Sequence, residues 1–285
     1  MSQGLIYTLN CRGTLLPLDR PRIMGILNVT PDSFSDGGEF NTVEKAISHA
    51  RSMLEQGADI IDIGGYSSRP NAIDISIEEE AGRILPVIEA LREHFPASIL
   101  SVDTFRSEVA KQALDRGVHI VNDISGGEID PQMIPMVASM KQVPYIMMHM
   151  QGRPQTMQQN PHYEEIVQDV WMYFVQKIKM AQAAGLTDLV VDPGFGFGKT
   201  IRHNYQLLQG LGQFQELGYP ILVGLSRKSF IYKVLDCDPR EVVAQSQVLH
   251  DHALRSGANI LRVHDVKEAH KTIRLYQRMQ EDGFI

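Results

Sequence analysis

The sequence predicts a (β/α)₈ barrel, and two features of its pattern indicate this fold. Eight times along the chain, a short apolar run is followed by a polar or Gly-rich connection and then by apolar residues at helical spacing. The apolar runs do not alternate with polar residues, which is typical of parallel strands that are covered on both faces. An open, doubly wound parallel sheet is the alternative architecture, and the count of eight units favours the closed barrel.

Each of the eight units can be assigned a strand and a helix. The predicted strands are Ile23–Leu27, Asp59–Ile63, Ile99–Val102, Val118–Val121, Tyr145–Met148, Leu189–Val191, Ile221–Val223 and Ile260–Val263. The predicted helices are Val43–Glu55, Ile77–Arg92, Ser107–Asp115, Pro131–Met140, Tyr163–Ala184, Asn204–Gln209, a helical stretch through Arg255, and Lys267–Gln280. Gly57, Gly117, Gly185 and Gly257 each stand between a helix and the next strand, where a glycine can end a helix with positive φ.

No segment rich in Pro, Ser or Gly divides the chain, and we therefore predict a single domain over residues 1–285. A barrel of this kind commonly occupies about 250 residues as one unit. Residues 1–20 precede the first predicted strand and are expected to cap the bottom of the barrel.

Composition and charge restrict the classes of partner. A net charge of −7 at pH 7 argues against nucleic acid, whose phosphates need a broad cationic surface. No apolar stretch approaches about 18 residues, and Met1–Asn10 does not have the pattern of a secretory signal. Cys11 and Cys237 lack metal-ligand spacing and are predicted to be ordinary thiols. We expect a cytoplasmic protein without membrane or nucleic-acid partners.

Polar, charged or Gly-rich segments follow all eight predicted strands, at the end where a barrel carries its active site. They are Asn28–Gly38, Gly64–Pro70, Asp103–Phe105, Asn122–Gly127, His149, Asp192–Lys199, Ser226–Ser229 and Arg262–Asp265. Taken singly, each can be a turn or a helix cap, and a histidine such as His149 is more often structural than a ligand. Turn chemistry does not require all eight to be polar at one end, so their convergence predicts a binding site.

These polar residues are suited to two kinds of ligand group. Asp103, Asn122, Asp192 and Lys228 could surround a flat heterocycle, with acceptors for ring N–H groups and one donor for a ring nitrogen or oxo group. The groups suited to a phosphate-type anion are Arg69, Arg262, His264 and the hydroxyls of Ser67 and Ser68. Asn28 could supply one oxygen ligand to Mg²⁺, whose remaining ligands would be waters and phosphate oxygens.

Six sequence runs resemble those of the dihydropteroate synthase family. They are IMGILNVTPDSFSDGG (23–38), VND (121–123), MHMQG (148–152), DPGFGFGK (192–199), GLSRKSF (224–230) and RVHDV (262–266). They occur in the family's order from Ile23 to Val266, and the first run is highly specific. The resemblance implies condensation of a dihydropterin methyl diphosphate with 4-aminobenzoate, giving dihydropteroate and pyrophosphate. It also implies a homodimer, a Mg²⁺ cofactor and a site for sulfonamides.

The resemblance assigns roles to the matching residues. Asp103, Asn122, Asp192 and Lys228 would bind the pterin, with Met148 and Phe197 lining its slot. Asn28 would hold Mg²⁺, and Ser68, Arg262 and His264 would contact the diphosphate. Asp32, Phe34, Asp36, Arg69, Pro70 and Ser229 would form the 4-aminobenzoate site. The residues expected to act in catalysis are Asp36, Asp103, Lys228, Arg262 and His264.

The second loop departs from the family pattern, which usually reads Gly-Gly-Glu-Ser-Thr-Arg-Pro-Gly. Tyr66 and Asn71 replace the usual Glu and final Gly, which affects the expected conformation of this loop, whereas Ser68 keeps the hydroxyl of the usual Thr. Tyr232 stands where a Gly is common. Two other functions remain as alternatives: the methyltetrahydrofolate-binding domain of corrinoid methyltransferases, and a non-catalytic pterin-binding homologue. Pyrophosphate release from the two substrates would separate all three.

Overall fold

The computed structural model describes residues 6–30, 39–67 and 74–284, with side chains omitted for residues 39–41. Its strands are β1 (Thr8–Cys11), β2 (Thr14–Pro17), β3 (Arg22–Asn28), β4 (Ile60–Gly64), β5 (Ile99–Asp103), β6 (Ile120–Asp123), β7 (Tyr145–Met148), β8 (Leu189–Asp192), β9 (Leu222–Val223) and β10 (Ile260–Val263). β1 and β2 form an antiparallel hairpin, and the other strands are parallel.

The parallel strands close into a barrel. Within the described residues they form an eight-stranded sheet in the order β8-β7-β6-β5-β4-β3-β10-β9. A parallel bridge between Val191 and Ile221 joins the two edges of this sheet, and Val191 N donates to Pro220 O at 2.9 Å. The predicted (β/α)₈ architecture is thus confirmed, and the open sheet is wrong.

Helices follow the barrel strands and cover the sheet. They are α1 (Glu39–Glu55), α2 (Ile77–His94), α3 (Ser107–Asp115), α4 (Met133–Ser139), α5 (Ile166–Ala183), α6 (Ile201–Gln209), α7 (Ser229–Leu235), α8 (Val243–Arg255) and α9 (Val266–Glu281), with a 3₁₀ helix at Leu211–Leu217. The predicted stretch through Arg255 is two helices, because Asp236 adopts a left-handed conformation (φ 49°) that ends α7. The four glycines predicted to end helices have φ between 93° and 103°.

The hairpin covers the amino-terminal end of the barrel. Its apolar cluster consists of Leu9, Cys11, Leu16 and Leu18 packed against Met24, Ile60, Ile99, Ile120, Ile146, Val190, Leu222 and Ile260, near the starts of the strands. Four apolar residues of the predicted N-terminal extension thus pack against the starts of the barrel strands. Because this end is filled with buried apolar side chains, the polar residues of the strands collect at the opposite, carboxyl end.

The two cysteines are free thiols, as predicted. Burial raises the pKa of the Cys11 thiol to about 12, which makes it unreactive near neutral pH. No helix in the described ranges is both long enough and apolar enough to span a bilayer. The cytoplasmic location stays a prediction.

Candidate active site

Four neighbouring strands place Asn28, Gly64, Asp103 and Asn122 in one row at the carboxyl end of the barrel. Asn28 pairs with Gly64, Gly64 with Asp103, and Asp103 with Asn122. A Cβ atom at Gly64 would lie 3.5 Å from Asp103 Cβ and 3.7 Å from Asn28 Oδ1, so this glycine leaves the space between the two polar side chains open. Three predicted site residues are thus adjacent because of strand register.

Asp62, which is not among the predicted site residues, lies beneath this row. Its Oδ2 accepts from Asn122 Nδ2 at 2.9 Å and from Arg262 Nε at 2.6 Å. Arg262 Nη2 in turn donates to Asp103 Oδ2 at 2.5 Å. The available signal was a carboxylate inside the apolar run Ile60–Gly64, where a charged residue is unfavourable unless it is paired.

The carboxyl group of Asp103 has a pKa close to neutral pH. Burial raises its pKa to about 7; Arg262 opposes this shift, and the negative charge of Asp62 adds to it. Because this pKa lies close to neutral pH, a small change in the surroundings of Asp103 alters the charge of its carboxyl group.

The Gly-rich loop after β8 positions Asp192. Asp192 Oδ1 accepts from Gly194 N at 2.8 Å, and burial raises the pKa of this carboxyl group. Gly194 has a φ of 73°, and a Cβ atom there would lie 1.9 Å from His149 O. Lys199 Nζ donates to Gly194 O at 2.9 Å and to Phe197 O at 3.1 Å, so a buried ammonium group holds both ends of this turn.

His149 has the structural role that its position after an apolar strand predicted. It is buried, its Nδ1 lies 3.0 Å from Lys199 Nζ, and its ring packs edge-on against Tyr173. Burial and the charge of Lys199 lower its pKa well below the usual value, so the ring is neutral. Burial also lowers the pKa of Lys199 to about 7. Lys199 is not among the predicted site residues.

Lys228 and Phe197 form one wall of a slot. Lys228 Nζ lies 4.3 Å from the centre of the Phe197 ring, a cation–π distance. The stem of Lys228 passes over Gly196, where a Cβ atom would lie 3.1 Å from Lys228 Cδ. Burial and the nearby charge of Arg262 lower the pKa of Lys228 to about 8, so the ammonium is largely charged at pH 7.

Met148 belongs to an apolar cluster beside this wall. The cluster consists of Phe105, Ile124, Met148, Met150 and Met157, with Tyr66, Ile129 and Phe197 packed against it. Met148 pairs with Asp192 in the sheet, which places an apolar side chain next to a carboxylate. This combination suits a flat, partly polar heterocycle.

Tyr66, the departure in the second loop, joins two loops. Its ring packs edge-on against Phe105 with centroids 5.0 Å apart, and Gln155 Nε2 donates to its hydroxyl at 2.6 Å. Asn71, the second departure in this loop, lies outside the described residues. Tyr232, which stands where a Gly is common, lies in α7 and packs against the main core.

Of the predicted anion-binding residues that the structure describes, Arg262 lies in β10, His264 follows β10, and Ser67 follows β4. His264 is exposed, and its Nδ1 lies 3.4 Å from Ser226 Oγ. Local desolvation and the cations Arg262 and Arg227 lower its pKa. Ser229 is the first residue of α7, and Ser67 is half-buried after β4.

Comparison with known proteins identifies the family. The family model "Pterin binding enzyme" matches residues 24–264. The dihydropteroate synthase of Escherichia coli (strain K12) is 45% identical over 268 residues, which cover 93% of this chain and 94% of the relative. The chain belongs to the dihydropteroate synthase family. Its members are transferases of folate synthesis, and this protein is an enzyme of that class.

Solved structures of family members agree in fold and length. A Xanthomonas albilineans dihydropteroate synthase with 4-aminobenzoic acid is 44% identical, with a TM-score of 0.90, and the match covers 97% of this chain and 99% of that one. Another structure of the Xanthomonas enzyme, in complex with 7,8-dihydropteroate, is 42% identical, with a TM-score of 0.87 and coverage of 96% and 99%. The corrinoid methyltransferase alternative is therefore not supported.

Six residues that the family resemblance assigned to the site lie outside the described residues. They are Asp32, Phe34, Asp36, Ser68, Arg69 and Pro70. Their roles in binding 4-aminobenzoate and the diphosphate stay predictions.

The groups around Asn28 fit the Mg²⁺ ion that this family implies. Asn28 Oδ1 and the Asp103 carboxylate lie on either side of Gly64. Both are oxygen donors, which Mg²⁺ prefers, and this ion usually takes only one or two protein ligands beside phosphate oxygens and water. Among the residues that the structure describes, no three His, Cys, Asp or Glu side chains form a cluster suited to a metal. Asn28 as the ligand of Mg²⁺ stays a prediction.

Proposed function

We propose that this protein condenses (7,8-dihydropterin-6-yl)methyl diphosphate with 4-aminobenzoate to give 7,8-dihydropteroate and pyrophosphate. The observation that carries this proposal is the slot between Asp103, Asn122, Asp192 and the pair of Lys228 and Phe197. Structures of family members that hold 4-aminobenzoic acid or 7,8-dihydropteroate support it.

The slot matches the hydrogen-bonding edge of a pterin. Asn122 and Asp192 offer oxygen acceptors to the ring N–H and amino groups, and the Lys228 ammonium donates to a ring nitrogen or oxo group. Met148 and Phe197 contact the faces of the ring. Burial of these polar groups strengthens their interaction with a ligand that satisfies them and penalises one that does not.

The diphosphate is assigned to Arg262 and His264, with Ser67 and Ser68 on the second loop. Arg262 uses Nε and Nη2 in its bonds to Asp62 and Asp103, and Nη1 takes part in neither bond. A guanidinium held in this way presents its remaining N–H groups to an anion with little loss of side-chain entropy. Asn28 would hold Mg²⁺, and the ion would supply positive charge to neutralise the diphosphate oxygens.

The chemistry follows from the leaving group. The bond between the pterin methylene and the diphosphate oxygen breaks, and pyrophosphate leaves with the electron pair. Asp103 and Asp192 stabilise the positive charge that spreads over the dihydropterin, more in the transition state than in the neutral ground state. The amine of 4-aminobenzoate then attacks the methylene and loses a proton to solvent. Asp36 is proposed as a further electrostatic partner.

We also propose that the protein acts as a homodimer, as the family implies. Val248 on α8 and Leu275 on α9 are 68% and 64% exposed, and these helices are neighbours. Light scattering coupled to gel filtration would measure the mass in solution against the 32.0 kDa of one chain.

The test of the activity is pyrophosphate release on mixing both substrates with Mg²⁺, together with detection of dihydropteroate. We expect both products in equal amounts. A protein that binds the bare pterin but forms no dihydropteroate would be a non-catalytic homologue, and the proposal would be wrong.

A further inference from the structure

We propose that Asp62 is a positioning residue for both halves of the site, because it orients the Asn122 carboxamide toward the pterin and the Arg262 guanidinium toward the diphosphate. The inference rests on the proposed function and assigns a role to a residue that none of the six family-like sequence runs contains.

The sheet register places Asp62 one layer below the residues that line the slot. It stands opposite Ile26 on β3 and Ser101 on β5, two residues before Gly64. Because side chains two residues apart on a strand share a face, Asp62 and the Gly64 row both point into the barrel. Asp62 is completely buried and therefore acts on a ligand only through the side chains above it.

The first of these side chains is Asn122. An ionised carboxylate only accepts hydrogen bonds, so the amide group of Asn122 must direct its NH₂ toward Asp62 Oδ2, 2.9 Å away. The bond thereby prevents rotation of the carboxamide by half a turn. Asn122 Oδ1 is then the atom that can accept from a pterin N–H group.

The second side chain is Arg262. Its Nε donates to Asp62 Oδ2 at 2.6 Å, and its Nη2 donates to Asp103 Oδ2 at 2.5 Å. The register places the Arg262 backbone on β10 opposite Met24 on β3. The two carboxylates that hold its guanidinium come from two other strands, β4 and β5. Two bonds to different groups fix the plane of the guanidinium, whereas one bond would leave it free to rotate.

Two substitutions separate the two effects. Asp62→Asn keeps an oxygen acceptor for Asn122 but removes the charge that holds Arg262. We expect affinity for the bare pterin alcohol to stay within about threefold and turnover of the diphosphate substrate to fall about tenfold or more, since the ion pair with Arg262 is replaced by a weaker bond to a neutral amide. Asp62→Leu removes both functions, and we expect both quantities to fall about tenfold or more.

Ser101→Ala is the matched control, because Ser101 is buried on the neighbouring strand at the same level. We expect it to change neither quantity. Pterin affinity is measured by calorimetry, turnover by pyrophosphate release, and folding by circular dichroism. If Asp62→Leu does not fold, Asp62→Asn decides the question alone.

Unchanged turnover in Asp62→Asn would overturn the proposal. Equal losses in affinity and turnover for this variant would also overturn it, because they would indicate a general structural defect. Absence of pyrophosphate release by the wild-type protein would instead refute the proposed function.

Discussion

The ammonium group of Lys228 lies 4.3 Å above the ring of Phe197, although the two residues belong to different loops. Phe197 follows β8 in the Gly-rich turn, and Lys228 directly precedes α7. Arg227, next to Lys228, has a φ of 55° and donates from Nε to Asp265 Oδ2 at 3.0 Å. A positive φ is uncommon for a residue with a side chain, so this ion pair stabilises the turn that directs Lys228 into the slot.

Lys228→Met should leave the fold intact and weaken binding of a bare pterin. A lost hydrogen bond to a charged group costs about 1.5–3 kcal/mol, which corresponds to roughly tenfold or more in affinity. Calorimetric titration of the folded variant checks this result. Lys233→Met, in the last turn of α7, is the control and should bind normally. An unchanged affinity in Lys228→Met would remove Lys228 from the site.

Pterin affinity should also depend on pH through Lys228. Burial lowers its pKa to about 8, so the free protein loses this charge as the pH rises through 8. A ligand that accepts a hydrogen bond from the ammonium group binds the protein in which Lys228 is protonated. Between pH 7 and 9.5, the affinity of the wild type for this ligand should therefore fall relative to the affinity of Lys228→Met. The ratio of the two affinities removes any titration of the ligand itself. A ratio that does not change with pH would contradict the assignment.

His264→Ala should slow turnover of the diphosphate substrate about tenfold, because one group that contacts the leaving pyrophosphate is lost. The affinity for the bare pterin should not change, since His264 is assigned to the anion and not to the ring. Turnover is followed by pyrophosphate release, with His252→Ala on α8 as a control. Equal losses for both ligands would show that the two subsites were assigned wrongly.

Gly194→Ala should be much more destabilising than Gly218→Ala, although both glycines have φ near 74°. At Gly218 no atom lies within 4 Å of an added Cβ, so only the backbone conformation is penalised, by roughly 1–2 kcal/mol. At Gly194 the added Cβ would lie 1.9 Å from His149 O, which forces the turn to move. We expect the free energies of unfolding to differ by more than about 2 kcal/mol in urea titrations. A similar loss in both variants would show that the turn at Gly194 adapts easily.

Local sequence predicted most of the secondary structure because periodicity and helix-ending glycines are local signals. Tyr145–Met148, Ile260–Val263 and Ser107–Asp115 have the predicted bounds. The helix α1 begins at Glu39, four residues before the predicted Val43, because the single apolar residue of this first turn, Phe40, does not establish an apolar periodicity.

The sequence by itself determined which polar residues reach the active end of the barrel. Asp103, Asn122 and Asp192 end parallel strands, and parallel strands of one barrel end on the same side. Only the tertiary structure decided how these groups are held. Asp62 and Arg262 are 200 residues apart in the chain, and their bond depends on barrel closure, which pairs β10 with β3 and leaves it one strand away from β4. A contact of that range leaves no local pattern, since it is set by the register of strands and not by the neighbours of either residue.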